Sequence, residues 1–288
     1  MLLPSLPYLT EKRIRDFIET ALREDLGEGD FSTLSVAPHK RICRARLLVK
    51  DSGVLAGVAL AERIFHFLDS TLDCKFLIPD GACVNPGDVA FEVTGNFQTI
   101  LSAERLVLNC MQRMSGIATR TATLKKLLEG TKAQLLDTRK TTPNFRLAEK
   151  WAVHIGGGMN HRYCLDDMIM LKDNHVDIAG GISAAVQAAA QYRQIHNLPL
   201  RIEVETRNLR EVREALSTGV VDVIMLDNMT VEMMREAVAI VGHACETEAS
   251  GGITEGNIRA VAETGVTYIS VGALTHSFQS LDMSLKVF

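Results

Sequence analysis

At 288 residues, with 47% hydrophobic and 23% charged residues, the chain has apolar material for one large domain or two modest ones, which excludes a disordered or fibrous protein. A net charge of -4 excludes a global attraction to nucleic acid or to anionic lipid, so small-molecule partners are expected and any basic cluster must act locally. No apolar run approaches the roughly 18 residues that cross a bilayer, and the opening MLLPSLPYLT has no basic segment followed by an apolar one, so a cytoplasmic chain is expected, neither exported nor in a membrane.

In chain order, EKRIRDFIETALRED reads as a charged helix. Short β-rich runs follow, RARLLVKDSGVLAG and KFLIPDGACVNPGDVAFEVTG, punctuated by Gly, Pro and Asp. Residues Leu101 to Ser115 have apolar positions recurring at three and four residues, which predicts a helix linking two halves. From Gly116 the character changes. The strand candidates AQLLDT, AVHIGG, DMIML, LRIEVET, VDVIMLDN, ACETEASGG and VTYISVGA alternate with amphipathic helices, among them GIATRTATLKKLLE, GISAAVQAAAQYRQI and TEGNIRAVAETG. Such alternation implies parallel strands, and about seven of them suggest an α/β barrel, closed or nearly so, with a doubly wound sheet as the rival. Nearly every strand candidate ends in a charged or glycine-rich tip: Asp137, Lys172, Glu203 with Glu205, Asp227, Ser250 and Gly272. Functional groups at the carboxyl ends favour the barrel. Neither GxGxxG after a first strand nor GxxxxGK[ST] is present, so dinucleotide and P-loop readings lack support.

Six scattered cysteines, without CxxC pairs or a nearby-histidine pattern, read as reduced core or near-core residues. Trp151 and the Met233-Met234 pair read as packing, and Asp166-Asp167 as a cap or turn.

Three constellations carry chemistry. Arg139, Lys140, His161, Arg162 and Lys172 are basic groups at or after barrel strands. Each alone reads more readily as a solvated charge or a salt bridge, but together at one mouth they would repel one another unless an anion with several negative groups sat among them. Glu203 and Glu205 share one strand face, with Asp227 on the next tip. These acids either hold Mg²⁺ or substrate hydroxyls, or neutralise the basic set, most directly Lys172. Ser250-Gly251-Gly252 before a helix candidate starting near Thr254, and Val271-Gly272-Ala273 one strand later, suit phosphate binding through backbone N–H groups, or are tight turns.

The motifs DTRKTTP, HRY, MLKDNH, EVE, LDN, SGG and VGALTHS, collinear and on these tips, resemble the quinolinate phosphoribosyltransferase family over essentially the whole chain. The resemblance implies an N-terminal α+β sandwich domain (1–115, joined by 277–288), an α/β barrel (116–276), and a homodimer or assembly of dimers with shared active sites. It implies transfer of phosphoribosyl from 5-phosphoribosyl 1-diphosphate to quinolinate with decarboxylation, giving nicotinate mononucleotide, a step of NAD biosynthesis. Carried over, Arg139, His161, Arg162 and Lys172 form the quinolinate carboxylate pocket, with Arg105 contributed across a dimer interface. Lys140 contacts the phosphoribosyl donor beside Thr138. Glu205 and Asp227 meet the ribose hydroxyls and Mg²⁺, with Lys140, Lys172, Glu205 and Asp227 as the catalytic set. Ser250 to Gly252 and Val271 to Ala273 are the 5′-phosphate loops. The rivals are a relative using another base such as nicotinate, a Schiff-base aldolase using Lys172, and a barrel that binds without turnover.

Overall fold

The computed structural model describes residues 3–36 and 41–288, and its internal contacts divide the chain into two units. The first comprises the described parts of Met1–Ala122 with Thr141–Gly157 and Leu274–Phe288; the second comprises Thr123–Lys140 and Gly158–Ala273.

Helix α1 (Glu11–Leu26) buries Ile14, Ile18 and Leu22, one stripe at a spacing of four, and starts at Thr10, whose hydroxyl accepts the Arg13 N–H at 3.3 Å. After α2 (Phe31–Val36), strand β1 (Ile42–Val49) buries Ala45, Leu47 and Val49, the period of two that a half-covered strand requires. Then come β2 (Gly53–Val54), α3 (Val58–Leu68), β3 (Asp73–Phe76), β4 (Cys83–Val84) and β5 (Val89–Asn96). Helix α3 starts at Gly57, which has no side chain to cap it; Asp80 takes over, accepting the Val58 N–H at 2.8 Å and the Ala59 N–H at 3.1 Å.

Helix α4 (Phe97–Leu127) is one element of 31 residues where the sequence suggested a linking helix and then a second. Gly116 does not break it. A Cβ there would collide with the backbone oxygen of Gln279, so the glycine serves a close chain approach, and a mid-helix glycine costs only about 1 kcal/mol. Next are β6 (Gln134–Leu136) and α5 (Arg146–Ile155). The expected strand over AVHIGG is therefore not formed. Leu147 to Val153 are buried without a break, as in a helix enclosed on all sides, and the buried Glu149 accepts Arg113 Nη2 at 2.7 Å and the Thr142 N–H at 3.0 Å, which fixes the helix from its side.

The remaining elements are β7 (Ile169–Leu171), α6 (Asp173–Ala179), α7 (Ile182–Ile195), β8 (Ile202–Thr206), α8 (Leu209–Ser217), β9 (Val223–Asp227), α9 (Val231–Val241), β10 (Glu246–Ser250), α10 (Ile258–Ala262), β11 (Tyr268–Ser270), α11 (Ala273–His276) and β12 (Met283–Val287). Helix α10 starts at Ile258, later than the start expected near Thr254, because Asn257 holds the preceding turn: its Oδ1 accepts the Thr254 N–H at 2.7 Å and its Nδ2 donates to Gly252 O at 2.9 Å.

In the first unit the antiparallel order is β12-β1-β5-β3, so the last strand of the chain pairs with the first. The second unit holds a parallel six-stranded sheet of order β6-β11-β10-β9-β8-β7, and a single parallel bridge, Leu136 with Met159, stands where a seventh strand was expected. The fold is α/β, as the alternating pattern implied. All six cysteines are free, but Cys83 is exposed, so the core reading does not hold for it. Trp151 is buried, Met234 is core with Met233 only partly covered, and Asp167 accepts the Tyr163 N–H at 2.6 Å in a turn. No helix among the described residues is long and apolar enough to cross a membrane.

Asp80→Ala is expected to lower stability by about 1–2 kcal/mol, the scale of a lost helix N-cap, read as a lower urea midpoint.

Candidate active site

Parallel register builds the site. Met170 lies opposite Glu203, Glu205 opposite Met225, Glu248 opposite Met225, and Ser250 opposite Asp227. Taking every second residue along β7 to β11 gives one face carrying Met170 and Lys172, Glu203 and Glu205, Met225 and Asp227, Glu248 and Ser250, and Ser270. A cavity of about 530 Å³ opens on this face, and every residue lining it belongs to the second unit.

The cavity is lined by Thr138, by the basic residues Arg139, Lys140, His161, Arg162 and Lys172, by the acidic Glu205, Asp227 and Glu248, and by Ser250, Gly251 and Gly252. Arg105, Val271, Gly272 and Ala273 do not line it. Arg105 is exposed on α4 in the first unit, without a hydrogen bond or ion pair among the described residues, while Val271 follows Ser270, which does line the cavity. Sequence reasoning missed Glu248, Asn228 and Ser270 as lining residues. The period of two would have found Glu248, since it precedes Ser250 by two positions on β10.

Lys172 Nζ donates to Glu205 Oε1 at 2.7 Å, so the neutralising role suggested for the acids is real for this pair. Among the described residues, Asp227 Oδ2 accepts only its neighbour Asn228 Nδ2, at 2.9 Å. Arg162 Nη1 donates to Met168 O at 3.1 Å. Burial, and then the positive charge of Arg139, lower the pKa of Arg162; two guanidinium groups held together in this way favour an anion between them.

Beneath these cations lies a buried network. His161 Nε2 is 2.9 Å from Glu203 Oε2 and 3.4 Å from Glu248 Oε2, and both carboxylates are buried. Burial pulls His161 down, but the hydrogen bonds and charges of Glu203 and Glu248 outweigh it and carry the ring up to about 10. Burial, followed by the charge of Glu248, raises Glu203. The Arg162 N–H donates to His161 Nδ1 at 2.8 Å, which requires Nδ1 to be bare. A full imidazolium would set a hydrogen against that N–H, so the proton that both raised affinities retain belongs between Nε2 and the carboxylates.

Gly251 and Gly252 have φ of +88° and +62°, and a Cβ on Gly251 would run into the Asn228 side chain. Asn228, itself at φ 53°, donates its N–H to Ser250 O at 2.9 Å, so the tips of β9 and β10 are tied together beside Asp227.

Comparison with known proteins gives a consistent result. The family description "Quinolinate phosphoribosyl transferase, N-terminal domain" matches residues 30–115, and the corresponding C-terminal domain matches residues 117–286. A Nicotiana tabacum protein named quinolinate phosphoribosyltransferase [decarboxylating] 2b, mitochondrial, is 44% identical over 289 residues, covering 95% of this chain and 82% of its own. A probable nicotinate-nucleotide pyrophosphorylase [carboxylating] of Synechocystis is 42% identical, covering 95% and 92%. Among solved structures, NadC of Streptococcus pyogenes superimposes with a TM-score of 0.90 at 38% identity, covering 98% of this chain and 99% of that one.

Gly251→Ala combines a strained positive φ with the Asn228 collision, together about 1–3 kcal/mol. Affinity for a ribose 5-phosphate ligand is expected to fall about tenfold or more, measured by calorimetry.

Proposed function

The chain belongs to the quinolinate phosphoribosyltransferase family, and from that premise we propose how its pocket performs the family's reaction. The enzyme transfers phosphoribosyl from 5-phosphoribosyl 1-diphosphate to quinolinate, releasing pyrophosphate and CO₂ and forming nicotinate mononucleotide for NAD biosynthesis. The observation that carries the residue assignments is the meeting of Arg139, Lys140, Arg162 and Lys172 with Glu205 and Asp227 in one cavity.

Arg139 and Arg162 face the two carboxylates of quinolinate, with His161 at their base and Lys172 opposite. Lys140, in the loop that Thr138 shapes by accepting its N–H at 3.0 Å, meets the donor's pyrophosphate. The turn of Ser250 to Gly252 receives the 5′-phosphate, with Val271 to Ala273 following the neighbouring strand. Glu205 and Asp227 stand at the ribose hydroxyls. As the bond from C1 of ribose to pyrophosphate breaks, positive character grows at C1 and these carboxylates stabilise it. The pyridine nitrogen then forms the new bond to C1. Its positive charge makes the ring an electron sink, so the bond from C2 to its carboxylate breaks, CO₂ leaves, and the electron pair left on C2 takes a proton. Catalysis is positioning and electrostatics, without a covalent nucleophile.

The donor set suits Mg²⁺: Asp227 and Glu205 offer hard oxygens on one wall, and Asp227 has an oxygen uncommitted to a cation. Bound there, Mg²⁺ would balance the charge of the departing pyrophosphate. Arg105, exposed and outside the cavity's lining, is assigned to the pocket of a second copy in a homodimer. The free thiols suit a reducing compartment, of which the cytoplasm is the one proposed.

Quinolinate, the donor and Mg²⁺ together should release CO₂, with no release when any one is left out. Silence with quinolinate but nucleotide formation from nicotinate would replace the base. Arg139→Ala should raise the KM for quinolinate by about ten- to hundredfold, the scale of a lost charged hydrogen bond. Mixing Arg105→Ala with Arg139→Ala subunits should restore activity in verified heterodimers, and no recovery would remove Arg105 from the site.

A further inference from the structure

His161 is held at three points by three strands. Asp137, at the tip of β6, accepts the His161 backbone N–H at 2.9 Å and Asn160 Nδ2 at 2.6 Å. From β8 and β10, Glu203 and Glu248 approach the ring at Nε2, while its Nδ1 accepts the Arg162 N–H. Both ring nitrogens are thus committed within the chain. The remaining oxygens of the carboxylates, Glu203 Oε1 and Glu248 Oε1, are buried with no hydrogen-bond partner among the described residues. Two such groups burden the fold, and an apolar floor would be more stable. They also put negative charge under a pocket built for an anion, so neither packing nor substrate attraction accounts for them.

We infer that Glu203 and Glu248 are positioning residues: by accepting the Nε2 hydrogen of His161 they fix the ring, whose bare Nδ1 in turn fixes the backbone of Arg162 and the direction of its guanidinium. The chain of contacts is continuous, from β8 and β10 through the imidazole to the Arg162 N–H, with the far end of Arg162 tied to Met168 O. The three side chains also have the ligand types of a metal site, their candidate atoms lying within 4.8 Å of one another. The tautomer opposes that reading, because a bare Nδ1 places the hydrogen on Nε2, where a metal would have to bind. The inference rests on the pocket being the quinolinate site.

The test uses the full-length enzyme. Glu203→Leu and Glu248→Leu are expected to raise the KM for quinolinate about tenfold or more while the KM for the phosphoribosyl donor changes less than about twofold, a split that general loosening of the fold would not give. Glu203→Gln and Glu248→Gln, which keep an oxygen at the ring, should recover most of the loss. In ¹⁵N-histidine spectra of the wild type, His161, assigned by its absence in His161→Gln, should show a bare Nδ1 and a hydrogen on Nε2. Equal loss for both substrates, no rescue by glutamine, or a ring with hydrogen on Nδ1 would each overturn the inference, as would a stoichiometric metal in the wild type that the leucine variants lack. Should the leucine variants fail to fold, the wild-type spectrum decides. If Arg139→Ala leaves the KM for quinolinate unchanged, the pocket reading fails instead.

Discussion

Apart from Asp227, the charges that meet on the inner face of the second unit's sheet take their counter-charge from another strand, and the constraint is strictest for His161, Glu203 and Glu248, which are buried. Lys172, after β7, meets Glu205 on β8; His161, beyond the tip of β6, meets Glu203 on β8 and Glu248 on β10. Burying an unpaired ion costs several kcal/mol, so these pairings and the parallel register depend on one another. A slip of one residue would turn Glu203, Glu205, Asp227 and Ser250 to the opposite face and leave their partners stranded. Fold and site are therefore one constraint, and the loops can vary around it.

Much of this was legible in the sequence, for a physical reason. Side chains alternate along a strand, so EVE could be read as two acids on one face, and the strand tips could be read as a ring of functional groups without knowing how the strands pair. What could not be read was anything decided across strands. That Glu203 serves His161 while Glu205 serves Lys172 depends on which residues stand abreast, and although the period of two puts Glu248 on the face of Ser250, its pairing with His161, 87 positions away (248 − 161), is decided across strands. The AVHIGG run illustrates competition between periods: V-H-I alternates over three residues, but the preceding Leu147, Ala148 and Trp151 give a longer helical stripe, and the longer stripe prevailed. Gly116 looked like a boundary, and is instead a contact.

The resemblance supplied roles that geometry then sorted into two groups. Thr138, Arg139, Lys140, Arg162, Lys172, Glu205, Asp227 and the Ser250 turn converge on one cavity of the second unit. Arg105 does not, and a single exposed arginine on a helix of the first unit carries no signal of its own. The proposal that a second copy completes the site would give it a place.

The arrangement of charge in the cavity bears on selectivity. Arg139, Lys140, Arg162 and Lys172 line the cavity, whereas Glu203 and Glu248 are buried, each against His161. On the proposed assignment, a ligand carboxylate would be drawn to Arg139 and Arg162 and repelled by the buried acids behind His161. If Arg139 and Arg162 hold the base as proposed, a planar diacid would satisfy both guanidinium groups, whereas a monoacid would leave one of two like charges unbalanced. Discrimination between one carboxylate and two then follows from the energy of an unpaired cation, the kind of difference that polar sites resolve better than apolar ones.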